Sequence, residues 1–350
     1  MQTLAIFLDT WRMLKARKLF WIALVLTVLA GSMMAIVSFP GEGLKILHWT
    51  IDWPGIRVAD GSAATFYLGV FYFLTDWWTS GIGVVLALIT CSSVFPEMIL
   101  QGGIDALLSK PISRGRLFLA KYFSGLLFAG SLAVVLAAIA WLCIRWKLGY
   151  WHTAIWWSVP LVLVLFSALY SVLVLVGVWF RSALASVILT LIFWGVCWAL
   201  HLAERVSGEL ARSPGMALVA NSKVKAEGGG GDSTGGNAEL ARRIFKVAMT
   251  FLPKTTEMTG LIGRSVETER TRTVRRQEEL DAEVDGRLRI LQLSGKAPPI
   301  DRVKFREEVE REFESKKALE KSPGYIIGTT LAFQAVILLW AGWIFSRRDY

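Results

Sequence analysis

Cysteine and histidine are scarce in this chain, three of each among 350 residues. Cys91, Cys143 and Cys197 each lie inside a long apolar run, where a thiol behaves as a small hydrophobe, which argues against a disulfide framework. His48, His152 and His201 lack the close spacing of metal ligands. Charged residues make up only 19% of the chain, below the roughly 25% of ordinary soluble domains. The phosphate-loop pattern G-x-x-x-x-G-K followed by Ser or Thr is absent, and the Gly-rich run Gly228 to Gly236 has no lysine to reach a phosphate. Nor does a nucleophile, a histidine and a carboxylate come together in any recognisable pattern. The expectation is a chain with no catalytic residues, no cofactor and no metal of its own.

What is abundant is apolar surface. Hydrophobic residues reach 54% and mean hydropathy is +0.49. Sixteen tryptophans are present, many of them where long apolar runs begin or end. Their rings suit a membrane interface because one edge is apolar and the other hydrogen-bonds. A bilayer span needs about 20 apolar residues, since a helix rises about 1.5 Å per residue across about 30 Å of hydrocarbon. Six segments meet that requirement: 19–38, 78–96, 118–143, 156–180, 183–202 and 325–346. The apolar stretch 63–96 exceeds one span but falls short of two, so 63–77 reads as an interfacial or re-entrant lead-in. The fold class is therefore an all-α integral membrane protein with six transmembrane helices.

Charge sets the sidedness. The net charge of +10 would suit nucleic acid, but the basic residues are accounted for by loops and one charged insert, so no nucleic-acid partner is expected. With both termini inside, Arg12, Lys15, Arg17, Lys18, Lys110, Arg114, Arg116, Lys121, Arg181, Arg347 and Arg348 fall on the cytoplasmic side. The short outer loops hold only Lys45, Arg57, Arg145 and Lys147, beside Glu42, Asp52, Asp60 and Asp76. This is the positive-inside asymmetry. No A-x-A-like cleavage site follows the first apolar run, so it reads as an uncleaved span. Ahead of it, Leu4, Phe7, Leu8, Trp11 and Leu14 recur at helical spacing with Asp9, Arg12 and Lys15 between them. Residues 1–18 thus read as an amphipathic helix lying in the inner interface. The transmembrane body with its first cytoplasmic loop then covers 19–202, and 323–350 forms the last span and tail.

Residues 203–322 differ in kind, reading as an extracytoplasmic helical insert. After Glu204, Arg205, Glu209 and Arg212 comes the flexible Gly-rich linker 228–236. A short amphipathic helix is expected over 239–252, then charged helices over 265–293 and 301–321 separated by Ala297-Pro298-Pro299. Leu280, Val284, Leu288 and Leu291 make a narrow seam on the first charged helix, and Phe305, Val309 and Phe313 on the second. An antiparallel hairpin would join the seams. Such an insert is either a solvated spacer or a docking site for an extracytoplasmic protein.

The loop between the second and third spans, 97–117, is the most distinctive stretch. Gly102 and Gly103 let the chain turn out of the membrane. Ile104, Leu107 and Leu108 then line one face of a short helix that Pro111 ends. Arg114, Arg116 and Lys121 mark the return to the inner interface. Glu97, Gly103, Leu107, Leu108, Ser109, Pro111, Ser113, Arg114 and Lys121 together resemble the ABC-2 type exporter permeases, which carry a glutamate at the end of the second span, a Leu-Leu-Ser-x-Pro-x-Ser-Arg pattern and a lysine before the third. The ending Ile344-Phe-Ser-Arg-Arg-Asp349 is similar to that family's C-terminus. The resemblance covers the chain except for 203–322, which is longer than the family's usual outer loop.

That resemblance implies a permease subunit in the inner (plasma) membrane, paired with a second permease copy as a homodimer or heterodimer. Two cytoplasmic ABC ATPase subunits would carry the ATP and Mg. It makes the loop a coupling helix seated on the ATPase, with Glu97, Gln101, Gly103, Ile104, Asp105, Leu107, Leu108, Ser109, Pro111, Ser113 and Arg114 as the contact residues. Two other readings share the topology. An ion-coupled secondary transporter needs ionisable groups near the midplane, whereas the six spans read as apolar at their centres. A membrane scaffold or sensor would use the outer hairpin to bind a protein.

Overall fold

The computed structural model describes residues 11–12, 15–16, 18–38, 44–46, 49–51, 77–100, 113–149, 151–212, 252–266, 269–293, 302–318 and 322–347. The chain is a multi-pass membrane protein: among the described residues, six helical stretches are long and apolar enough to cross a bilayer. They run Lys18–Ile36, Trp78–Ile99, Arg114–Trp146, Thr153–Phe180, Ala183–Ala203 and Pro323–Arg347. Each contains or nearly coincides with a segment expected from hydropathy. In chain order the helices are α1 (Lys18–Ile36), α2 (Gly83–Cys91), α3 (Val94–Leu100), α4 (Arg114–Leu148), α5 (Ser158–Phe180), α6 (Ala183–Arg212), α7 (Thr255–Val266), α8 (Glu269–Leu293), α9 (Arg302–Ala318) and α10 (Pro323–Arg347). A small antiparallel meander follows α1: β1 (Val37–Ser38) pairs with β2 (Leu44–Ile46), and β2 with β3 (Trp49–Ile51). Hydropathy windows pass over it, although Leu44-Lys45-Ile46 and Trp49-Thr50-Ile51 alternate as strands do.

The fourth span is the hub. In its most apolar stretch 72% of residues are buried, against 17% for the fifth and sixth spans, so α5 is surrounded by protein and those two face lipid. Lipid tails are as apolar as leucine, so helices associate through close packing rather than hydrophobic transfer. Small residues make that possible here. A Cβ at Gly125 of α4 would lie 2.4 Å from the Tyr170 hydroxyl of α5, so only glycine fits. Ala129, Ala133 and Ala137, at four-residue spacing, are likewise buried on α4.

The second span is broken, and Pro96 explains the break. Proline has no N–H and its ring clashes with the carbonyl four residues back. At Ser92 the backbone N–H turns to Ile89, three residues back at 3.3 Å, and the regular pattern resumes with Glu97 N–H to the Ser93 carbonyl at 3.0 Å. α2 and α3 are therefore two rods joined at Ser92-Ser93. A turn of two residues joins α5 to α6. Arg181 takes the left-handed conformation (φ 54°), its N–H capping the Gly177 carbonyl at 3.0 Å. Ser182 then caps α6, accepting from the Ala185 N–H at 3.3 Å.

At the far end of the bundle, α7 packs on the starts of α5 and α10 and on α6. The sequence reading missed this helix. Its apolar residues Met258, Leu261 and Ile262 have i, i+3, i+4 spacing and are buried, but polar residues crowd a 12-residue element. Lys254, just before it, is 1% exposed with its ammonium 3.8 Å from the Tyr325 ring centroid. The expected helix at 239–252 and the Gly-rich linker lie outside the described residues.

Helices α8 and α9 form the charged arm, with Leu280 and Val309 buried at their contact. Exposed and half-exposed ion pairs join the two helices: Asp281 with Arg306, Arg276 with Glu314, both running antiparallel as a hairpin requires, and Arg287 with Glu312. The seams are too narrow for more: Val284, Leu288, Phe305 and Phe313 stay half-buried.

Candidate functional site

The loop expected to carry function joins two well-packed anchors. Gln101, Gly103, Ile104, Asp105, Leu107, Leu108, Ser109 and Pro111 lie outside the described residues, while Glu97, Ser113 and Arg114 are placed. Glu97 sits half-buried on α3 between buried Pro96 and Met98. Gly177 of α5 lets α3 approach: a Cβ there would meet Pro96 Cδ at 3.5 Å and Ser186 Oγ of α6 at 3.1 Å. Ser113 is extended (ψ 140°), and its carbonyl accepts the Leu117 N–H at 3.1 Å to start α4. Arg114 Nη1 donates to the Ser346 carbonyl at the end of α10, 3.1 Å away. An aromatic chain ties the same three spans, with Phe95–Phe118 centroids 5.3 Å apart and Phe118–Phe345 5.7 Å apart. Lys18, Arg114, Arg116, Arg181 and Arg347 thus mark one basic end of the bundle, opposite α7.

Lys121, two turns beyond Arg114 on α4, is only 4% exposed, so it is packed among the helices rather than open at the surface. The third span therefore holds a buried lysine near its start, outside the span centres that read as apolar.

Next to it lies a polar network that sequence reasoning also missed. Ser167 Oγ of α5 donates to Gln334 Oε1 of α10 at 2.6 Å. Gln334 Nε2 donates to the Tyr122 hydroxyl of α4 at 3.2 Å, and that hydroxyl donates to the Ser167 carbonyl at 3.1 Å. The triangle pins three spans together inside the bundle, where an unpaired polar group would be costly. Tyr122 stacks on Tyr170 at 5.1 Å, and Tyr170 on Phe166 at 5.3 Å. The available signal was Gln334, the sole amide or charged side chain between Pro323 and Ser346. Among the described residues no cluster of His, Cys, Asp or Glu is arranged to hold a metal.

No protein-family model matches this chain, and no curated protein matches it significantly.

Proposed function

We propose that this chain is the membrane-spanning subunit of an ABC-2 type transporter, an exporter driven by a separate ATPase through the loop 97–117. The observation that supports this most is the anchoring of that loop. α3 wedges against α5 and α6 at Gly177, and α4 starts beside the end of α10. A push on the loop therefore reaches α5, α6 and α10 as well as the two spans that the loop joins, as a coupling element requires. The break at Ser92-Ser93 gives α3 a joint about which to move. In this reading the basic end is cytoplasmic, both termini lie there, and residues 1–18 rest in the inner interface of the plasma membrane. The insert 203–322 is then extracytoplasmic. ATP and Mg belong to the partner ATPase subunits, and a second permease copy completes the machine.

The test is affinity purification of the tagged chain from native membranes beside a Leu107→Asp, Leu108→Asp variant. An ABC-type ATPase recovered with the wild type and lost with the variant is the expected result. A chain that brings no ATPase, or one that ignores the variant, overturns the reading.

Buried Lys121 favours one alternative, an ion-coupled secondary transporter, because ionisable groups inside a bundle are costly and mark ion pathways. Transport that persists without any ATPase and collapses with a protonophore would select it.

A further inference from the structure

A groove of about 990 Å³ runs along the lipid-facing side of the bundle between α4, α5 and α10. Gly130 forms part of its floor, and a Cβ there would sit 3.3 Å from Leu163 Cδ2 of α5. Along α4 the lining extends from Phe123 to Val135, a rise of about 18 Å. That is close to the depth of one leaflet, about 15 Å of hydrocarbon. The lining is almost wholly apolar, apart from Ser131, Ser167 and Gln334.

Basic side chains lie next to this groove. Trp11 is among its lining residues, its ring set edge-on against Phe20 of α1 at 5.8 Å. The Lys15 ammonium lies 5.3 Å from the Trp11 ring centroid, and Arg12 beside it is exposed. On α4 itself, Arg116, Leu119, Phe123 and Leu127 form one exposed stripe at helical spacing, with the arginine at the basic end. An apolar channel of leaflet depth, with basic side chains beside its aromatic lining residue Trp11 and on the α4 stripe leading to it, complements an anionic amphiphile lying along the membrane normal.

We propose that this groove holds one anionic glycerophospholipid, drawn from the leaflet at the basic end. Its acyl chain lies against α4 between Phe123 and Val134. Its phosphate sits among Lys15, Arg12 and Arg116. The bound lipid fastens the N-terminal segment to the third span. This inference rests on the bundle spanning a membrane and is independent of any ATPase.

The experiment is native mass spectrometry of the full-length protein released from nanodiscs containing equal phosphatidylglycerol and phosphatidylcholine. The wild type is expected to retain one phosphatidylglycerol in preference to phosphatidylcholine. The double variant Lys15→Gln, Arg116→Gln removes headgroup contacts, and Val134→Trp fills the groove at a lipid-exposed position. Each should lower retention about tenfold while elution volume and melting temperature in phosphatidylcholine stay at wild-type values. Equal retention of the two lipids by the wild type overturns the proposal without recourse to a variant. Loss in the charge variant with full retention in Val134→Trp also overturns it, because the lipid would then be held by surface charge outside the groove.

Discussion

The packing around α5 and the contact between α8 and α9 solve the same problem in opposite ways. Around α5 the groups in contact are small residues, aromatic rings and one closed hydrogen-bond triangle, with Leu165, Ala168, Leu169 and Val174 fully buried. In the arm, Leu280 and Val309 are the buried apolar residues among the described side chains, and solvated ion pairs lie beside them. Within the bilayer, apolar transfer drives nothing, so shape and satisfied polar groups decide which helices meet. In water a narrow apolar seam suffices to bring helices together, and solvated charges set the angle only weakly. Structure in the bundle should therefore be brittle to small changes of volume, and structure in the arm tolerant of changes in charge.

The strongest break in that contrast is expected at Gly125. Gly125→Leu forces a side chain into the space held by the Tyr170 hydroxyl, which is buried with no hydrogen-bond partner among the described residues. Overpacking of this kind costs about 3 kcal/mol. Unfolding of the detergent-solubilised protein should show a sharp loss of folded fraction. A melting temperature equal to wild type would mean that α4 and α5 are not in the close contact described.

A smaller loss is expected for Phe118→Ala, where two ring contacts disappear at the anchor of the 97–117 loop. Truncation of a buried aromatic costs 3–5 kcal/mol in soluble proteins. Without the transfer term, about 2 kcal/mol remains for the cavity and lost contacts. The variant sharpens the comparison if its damage is local. Under the proposed function, ATPase co-purification should weaken more than global stability does, and an equal fall in both would point to general unfolding instead.

How far the sequence reveals each region follows from the same physics. The six spans are legible because a bilayer demands about 20 apolar residues in a row, and their ends are marked by residues such as Arg114 and Arg181. The break at Ser92-Ser93 is legible in retrospect from Pro96. Which helix forms the hub is not, because the fourth and fifth spans, Thr153–Phe180 and Ala183–Ala203, are both strongly apolar and differ in what surrounds them. Of the candidate site, the loop motif stands out from its residues alone, whereas the Tyr122, Ser167 and Gln334 network depends on how three distant segments meet. The burial of Lys121 is not legible for the same reason: it depends on which helices pack beside the start of α4.

Gln334→Leu tests that network and ranks third. It removes the bonds to Ser167 and Tyr122, yet leaves an apolar side chain of similar size in the bilayer. Membrane hydrogen bonds average about 0.6 kcal/mol, so the two together are worth about 1 kcal/mol. In a double-mutant cycle with Tyr122→Phe, the effects should fall short of additive by most of that amount. Full additivity would show that the two side chains are not coupled.

The smallest effect is expected in the arm, at Arg287. Its guanidinium meets Glu312 at 2.7 Å and Glu283, one turn earlier on the same helix, at 3.2 Å. Partial burial pulls the group's pKa down, but its hydrogen bonds and charge interactions with the two carboxylates outweigh this and raise it. A cation whose pKa rises on folding contributes its stability below the unfolded value and loses it only as pH climbs through the folded one. Both lie in the strongly alkaline range of arginine, so titration of Arg287 itself leaves stability flat across ordinary pH. The pairs are also substantially solvated, at 31% exposure for Arg287 and 52% for Glu312, so Arg287→Ala should cost only about 0.5 kcal/mol. High salt should shrink even that difference. A loss as large as that of Phe118→Ala would mean that the contact of α8 and α9 is fixed by its charges, and the contrast between bundle and arm would fall.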